Sequence, residues 1–457
     1  MARNPPSNPA EVLVDHALNL RWADVPGAAR ERTLAFLHDT LAVGAAGVGA
    51  AHAEAVLAMA RGWGAGRVAG VLGRPGVRLP SGAAAFVNAY QIHGQEFDCV
   101  HEPAVLHPMA TLLAALLAEA ERGAPVSGEQ LLTAIVAGVD VSVTLGLAAP
   151  GALKFFRPAT AGIFGCVAGI ASMRAMPREM ALDAFGHALA LVSGTMQAHL
   201  EGKPALPVQV AAAARNALVA VDLARGGMPG VRDPLTGPFG YFPLMEVREE
   251  LDAAIALLAA GHRIAEVSWK PFPTGRAGHG GIVAVQNLMA RGLIAQDLRA
   301  LEYRAPPLIH RLVGRPAKPG MEVAYARLCL PYLAACVLVR GGIGLGDFTR
   351  EALDDPAVLA VARRIAVVAD DNPDAAAFVP ARAMAILCNG TQMIEDVSAQ
   401  FGSPAWPLSP AERGAKAQSC LDFAGLGDAA PALAEQIQSM EAAPDAVALI
   451  RAAGVLG

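Results

Sequence analysis

Charge and aromatic rings are both scarce in this chain: only 17% of its 457 residues are Asp, Glu, Lys or Arg, and 5% are Phe, Trp or Tyr. The formal net charge is -5 and no stretch is rich in lysine and arginine, so the electrostatic footprint of a nucleic-acid or anionic-membrane binder is missing. Six cysteines, at 99, 166, 329, 336, 388 and 420, are scattered without a C-x-x-C pair. That spacing excludes the common thiolate metal and redox motifs, and the cysteines read as small core residues. The longest nearly charge-free stretch, "ATAGIFGCVAGIASM" at 159–173, falls short of the roughly 20 apolar residues that a spanning helix needs. The opening "MARNPPSNPAEVLVDHALNL" has no basic start followed by an apolar block, so no signal peptide is expected and the location is expected to be cytoplasmic.

Alanine, leucine, valine and glycine fill the space instead, and 54% of the chain is hydrophobic. Alanine and leucine are strong helix formers, so a large body of closely packed helices is the simplest use of them. At this length two domains are expected. From residue 10 to about 225 the pattern is helix after helix, as in "PAEVLVDHALNLRW" and "GAARERTLAFLHDTLAVGAAG", with apolar residues at i, i+3, i+4 and i+7. "SGEQLLTAIVAGVDVSVTLGLA" opens on a serine with a glutamate two positions on, a helix start. Beyond about residue 262 the texture changes. "RIAEVSW", "LRALEYRA", "RRIAVVAD" and "RAMAILCNG" read as short strands, the last ending in an Asn-Gly turn, while "GHGGIVAVQNLMARGL" reads as a helix. The expected fold class is mainly α. A large all-helical domain covers 1–265 and 401–457, with a smaller α+β domain inserted at 266–400.

The titratable chemistry is concentrated in "EFDCVHEPAVLHP", residues 96–108. A metal site built from His93, Asp98, His101 and His107 fits neither H-E-x-x-H nor any cysteine-based zinc spacing, so no metal is expected. General acid–base work and a plain polar loop both remain open on the residues alone. Lys203 stands alone before an apolar helix, where the helix N-terminus already favours an anion. Lys270, Arg276 and His279 share "KPFPTGRAGHGG", three potential cations within ten residues, with prolines that stiffen the loop and glycines that let a ligand approach backbone. His279 could equally cap the helix that follows. Tyr332 in "LCLPY" opens an apolar helix and could equally be a core tyrosine with a bonded hydroxyl.

Six segments in order carry a resemblance: "FDCVHEPAVLHPMATLLAALL", "FFRPATAGIFGCVAG", "LEGKPALPVQVAAAARNALVAVDLARGG", "DPLTGPFGYF", "KPFPTGRAGH" and "ARLCLPY". Over nearly its whole length the chain resembles the MmgE/PrpD family of 2-methylcitrate dehydratases, cis-aconitate decarboxylases and iminodisuccinate epimerases. The resemblance implies a cofactor-independent, dimeric enzyme with a helical body, a smaller lid and an active site between them. It further implies Asp98, His107, His279 and Tyr332 as catalytic residues, and His101, Lys203, Lys270 and Arg276 as contacts to a di- or tricarboxylic acid; Arg157, which stands beside a position that departs from the family pattern, is a further candidate for such a contact. The expected reaction is dehydration or decarboxylation. An epimerase of a dicarboxylate such as iminodisuccinate, or a ligand-binding relative without catalysis, is the alternative. One position departs from the pattern: Phe156 aligns where lyase branches commonly carry a histidine, which removes a proton-transfer group.

Overall fold

The computed structural model describes residues 8–151, 153–247, 249–374 and 376–457, and it is mainly α. The first helix, Pro9–Asn19, starts as its sequence dictates: the Asn8 side chain accepts from the Ala10 amide, and Pro9 takes the first helical position, where no amide is needed. Gly27–Ala46, Ser81–Gly94, Pro108–Glu121, Gly128–Leu147, Gly162–Met173, Arg178–Leu191 and Ala205–Arg225 follow as the main helices of the body. The Gly128–Leu147 helix opens with a capping box, in which Ser127 Oγ accepts from the Gln130 amide at 3.2 Å and Gln130 Oε1 accepts from the Ser127 amide at 2.8 Å. The helix start expected at this serine is thus present, with Gln130 as its reciprocal partner.

Gly128–Leu147 and Gly162–Met173 approach so closely that a Cβ on Gly165 would lie 2.6 Å from the carbonyl oxygen of Gly138. Only glycine fits that crossing. By length and composition Gly128–Leu147 and Ala205–Arg225 are each apolar enough to cross a membrane. Here 89% of the first helix's apolar window and 56% of the second's is buried inside the protein. The sequence reading missed both because Glu129 and Asp140 in one, and Arg215, Asp222 and Arg225 in the other, break the charge-free run.

The apolar interior forms two clusters. One gathers side chains from Ala10 to Trp269 and again from Leu408 to Leu456, with Leu345; the other runs from Phe272 to Val397. The second holds a four-stranded sheet of β1 (Leu298–Ala305), β2 (Ile365–Ala369), β3 (Ala381–Leu387) and β4 (Gln392–Val397), in the order β2-β1-β3-β4. β1 pairs parallel with β2 and antiparallel with β3, and β3–β4 is a hairpin. Burial alternates along β3, where Ala381, Ala383 and Ala385 face the core, and the helix His279–Ala290 packs there as well.

Two strand expectations need correction. Residues 263–269 are not a strand: Arg263–Glu266 is a 3-10 turn and only Ser268 bridges to Val100. The turn is fixed by buried Asp140, whose carboxylate accepts from the Arg263 amide at 2.7 Å, from His262 Nδ1 at 2.7 Å and from His16 Nε2 at 3.0 Å. β4 was missed because "QMIEDV" is a half-exposed edge with a polar face.

Candidate active site

The segment 95–107 joins the Ser81–Gly94 helix to the Pro108–Glu121 helix. Its path is unusual: Glu96 and Val105 hold φ of 51° and 49°, left-handed conformations that non-glycine residues seldom adopt. His101 and Leu106 exchange backbone hydrogen bonds of 2.7 and 3.2 Å, pinching residues 101–106 into a small closed loop. Lys416, from the Pro410–Phe423 helix, anchors the segment by donating to the Phe97 carbonyl at 2.9 Å while pairing with buried Asp39 at 2.8 Å. Asp98 and His107 are thereby set side by side, and His93 reaches them from the last turn of the preceding helix.

Asp98 is fully buried. Its Oδ2 accepts from His93 Nδ1 at 3.0 Å and from His107 Nδ1 at 3.1 Å, and Lys270 Nζ stands 3.8 Å from Oδ1. Burial alone would raise the carboxyl's pKa, but the two imidazoles and the ammonium outweigh it and hold it well below the usual range. The histidines diverge. Burial depresses both, yet Asp98 and Glu96 win at His93 and raise it, whereas His107 stays lowered, with Lys270 and His93 opposing the pull of Asp98. His107 also sits at the N-cap of the Pro108–Glu121 helix, whose dipole disfavours a cation. A carboxylate only accepts, so the proton of neutral His107 is on Nδ1 and Nε2 is left as the basic nitrogen.

Lys270 is wholly buried and pairs with Glu96 Oε2 at 2.7 Å. Glu96 is held down to about 2, because Lys270, His93 and His107 overcome its burial. The lysine is positioned by Trp269, which stacks on Phe36 at 4.4 Å beneath the Arg32 guanidinium and donates its amide to the Gly402 carbonyl. A Cβ on Gly402, whose φ is +92°, would meet the Trp269 carbonyl at 2.4 Å.

A cavity opens beside His107, between the two apolar clusters. Of its eighteen lining residues only Glu96, His107, Arg157, His199 and Arg276 are polar. Both arginines are engaged: Arg157 pairs with Glu246 at 3.0 Å and Arg276 with Glu102 at 2.5 Å. A second cavity shares Glu96, Leu206 and Leu328 with the first and is lined by His93, Lys203 and Arg327. Lys203 stands at this second cavity, half-exposed, paired with Glu322 at 2.6 Å.

The other expected residues lie further back. His101 accepts from the Ala104 amide on Nδ1 and so donates from Nε2 to Glu266 at 3.0 Å, bracing the loop. His279 accepts from Arg276 on Nδ1 and donates from Nε2 to the Thr274 carbonyl, both at 3.2 Å. Both its nitrogens are occupied, and burial together with Arg276 and Lys270 keeps it neutral. Tyr332 is a core residue whose hydroxyl donates to backbone carbonyls, with Asp347 O at 2.8 Å and Ala352 O at 3.1 Å. Neither His279 nor Tyr332 lines either cavity. The spacing argument against a histidine cluster is corrected in space: His93/Asp98/His107 and His16/Asp140/His262 each bring three ligand atoms within 4.8 Å of one another. In both, two imidazoles converge on one carboxylate oxygen at 2.7–3.1 Å, which is hydrogen-bond distance.

The family model of the MmgE/PrpD N-terminal domain matches residues 11–254, and that of the MmgE/PrpD C-terminal domain matches residues 272–441. The chain belongs to the MmgE/PrpD family. It is 27% identical to the cis-aconitate decarboxylase of Mus musculus over 402 residues, covering 83% of this chain and 79% of the mouse protein. The cis-aconitate decarboxylase-like protein oryM of Aspergillus oryzae is 26% identical over 422 residues, 86% of each chain. The cis-aconitate decarboxylase of Aspergillus terreus is 26% identical over 306 residues, covering 63% of this chain and 61% of that one. Against this MmgE/PrpD background Phe156 gains meaning: its ring lies 5.8 Å from that of His93 and forms part of the cavity wall.

Four residues of the site escaped the sequence reading in these roles. His93 was weighed only as a metal ligand, and Glu96 was quoted but given no task. Arg327 lies inside "ARLCLPY", a motif read only for its tyrosine. His199 neighbours Lys203 in "HLEGK"; it lines the larger cavity, has no side-chain hydrogen bond among the described residues, and is held down to about 4 by burial and Arg315.

Proposed function

We propose that this chain is a cofactor-independent lyase that acts on a small carboxylic acid, with Asp98 and His107 as its proton-transfer unit. The observation that carries this is the pair of bonds from His107 Nδ1 and His93 Nδ1 to a single buried oxygen of Asp98. Asp98 fixes the His107 tautomer and stabilises the imidazolium that forms when Nε2 takes a proton from carbon next to a carboxylate. The electron pair left on that carbon delocalises into the carboxyl group, and Lys270 adds positive charge beside the triad. In a decarboxylation no prior abstraction is needed: the bond to the departing carboxylate breaks, carbon dioxide leaves, the electron pair stays on that carbon, and a His107 imidazolium that has taken its proton from solvent protonates it. The relatives named cis-aconitate decarboxylase support carbon–carbon cleavage as the lyase step of this reading.

The α+β unit around the sheet is proposed as an inserted lid, since residues 275–277, 312, 313, 328 and 378 complete a cavity whose remaining wall is helical body. A homodimer in the cytoplasm completes this reading. Epimerisation stays as a second reading because Phe156 removes one imidazole and leaves a site able to take and return a proton at one carbon. The test is incubation with 2-methylcitrate, citrate, cis-aconitate and iminodisuccinate in deuterated water, followed by proton NMR. Net loss of carbon dioxide or water supports the lyase. Deuterium wash-in without net conversion supports the epimerase, and exchange that survives intact in His107→Ala removes His107 from the chemistry.

A further inference from the structure

We infer that His199 is a carboxylate-binding residue of this site, an imidazole that takes up a proton from solvent when an acid enters the cavity beside His107. The inference rests on the small carboxylic acid proposed above as substrate. His199 is only 9% exposed, and it lines the same cavity as His107. The other buried histidines, His93, His101, His187 and His279, each make a ring hydrogen bond. Neither ring nitrogen of His199 has a partner among the described residues. A buried polar group left so is disfavoured unless something outside the chain completes it.

The backbone fixes the ring in this wall. The Phe156 amide donates to the Gly194 carbonyl and the Met196 amide to the Lys154 carbonyl, both at 3.2 Å. The short helix Gln197–Glu201 begins where that pairing ends, and Gly202 closes it in the left-handed conformation, at φ 65°. Arg315 Nη2 donates to the His199 carbonyl at 3.0 Å, while its Nη1 is buried without a partner. Arg311 and Lys154 share an outer cavity with His199, which therefore stands between that cavity and the inner one. Neither Arg311 nor Arg315 has a carboxylate in ion-pair reach among the described residues.

Burial and these two arginines oppose a charge on the ring, Glu96 favours it, and the balance holds His199 down to about 4. At neutral pH the imidazole is therefore uncharged. A carboxylate against it offsets both guanidinium charges and attracts the proton directly, so proton and acid bind together. No bond of the acid is made or broken; the proton comes from solvent and returns there when the acid leaves. Of the other groups on this cavity, Arg157 and Arg276 are paired with Glu246 and Glu102, and His107 is bonded to Asp98. Restoring His199 only to its ordinary value of about 6.5 links binding at pH 6 to uptake of about 0.75 proton and an affinity gain of about fourfold, which vanishes by about pH 8.

Calorimetric titration of the full chain with tricarballylate tests this, run in MES and in Bis-Tris, whose different ionisation enthalpies report the protons taken up. At about pH 6 the wild type is expected to take up about half a proton or more beyond His199→Gln. The ratio of the two affinities should shrink about fourfold between about pH 6 and about pH 8. Tricarballylate and His107 titrate in both proteins, so the difference belongs to residue 199. His199→Phe loses no hydrogen bond, and it serves as the check, with the same outcome expected, if the glutamine variant does not fold. Equal proton uptake in wild type and a folded variant, an affinity ratio that does not move with pH, or a wild type that does not bind tricarballylate overturns the inference. Deuterium wash-in reads the acid–base role separately. Linked proton uptake without exchange into any acid keeps His199 and removes that role, and exchange lost in His107→Ala without linked uptake does the reverse.

Discussion

Replacing Asp98 by asparagine keeps the shape of the side chain and removes the charge on which two imidazoles and an ammonium converge. Either amide orientation leaves at most one oxygen for two Nδ1–H donors that now share Oδ2 at 3.0 and 3.1 Å. His107 loses the partner that selects its Nδ1–H tautomer and the charge that stabilises its protonated form. A positioned acid–base group contributes about 100- to 10,000-fold in rate, or about 3 to 5 kcal/mol of barrier. The expected outcome for Asp98→Asn is a kcat lowered about 100-fold or more, with KM moved less than about threefold, since the loss falls mainly in the transition state. The rate of deuterium wash-in, followed by NMR on whichever acid the wild type turns over, measures it. The pH profile supplies a readout that a merely structural role would not move. Asp98 raises the His107 pKa against burial, Lys270 and His93, so removing it should carry the acid limb of kcat/KM to lower pH. A variant within threefold of wild-type kcat, or an unshifted acid limb, refutes the role given to this pair.

Lys270→Met leaves Glu96 and Asp98 buried without their ammonium, and loss of one partner from such a group costs about 3–5 kcal/mol; denaturant unfolding should show the loss beside any rise in KM. Gly165→Ala forces a Cβ to 2.6 Å from the Gly138 carbonyl and 2.7 Å from the Ser142 Cβ, which should destabilise by about 1–3 kcal/mol without changing KM, read as a lowered Tm. Stability should peak near pH 6.5–7. Below 6.5 an unfolded chain protonates histidines that the fold keeps neutral, so His107, His279 and His199 each withdraw stability as pH falls toward their depressed values. For His199, held at about 4, this amounts to about 3 kcal/mol by pH 4. His93 runs the other way: its raised pKa contributes stability that is fully present below 6.5 and fades as pH climbs through its folded value. A Tm that stays flat from pH 7 to 4.5, or that does not become flatter in His199→Phe, contradicts this assignment.

How much of this could be read from residues alone depended on the range of the interaction. Helices such as Pro108–Glu121 and Pro410–Phe423 declare themselves through local period and caps, and the Asn-Gly turn between β3 and β4 is equally local. Asp98 and His107 are nine residues apart on one loop, so their hydrogen bond is a local contact, and the resemblance is what singled the two out. What stayed hidden is the pairing state of each cation. Nothing near Arg276 announces Glu102, 174 positions away, and nothing near Lys203 announces Glu322, 119 positions away. A lone lysine and a lone arginine looked alike as clamps; folding pairs Lys203 and Arg276 with carboxylates, whereas Arg315 and Arg327 meet carbonyls.

The local rules fail at the loop proposed as the candidate site. Of the four non-glycine residues with positive φ among the described residues, Glu96 and Val105 belong to the one loop that carries Asp98. Neither is the glycine or asparagine that such a conformation favours, so the loop is held in place by its surroundings rather than by its own preference. The holders are identifiable: Lys270 grips both the side chain and the carbonyl of Glu96, and Lys416 grips the Phe97 carbonyl from the C-terminal helix. Both lysines belong to segments that arrive late in the chain, so the geometry of Asp98 depends on the whole chain having folded. Relaxing the loop with Glu96→Gly would remove the backbone strain and the carboxylate together, leaving Lys270 free to swing onto Asp98 Oδ1, now 3.8 Å away. A closer Lys270–Asp98 pair would depress Asp98 further and weaken its hold on the two imidazoles. On the proposed role of this loop, the Glu96–Lys270 pair holds the ammonium 3.8 Å from Asp98, where it helps to lower the Asp98 pKa without forming a close pair.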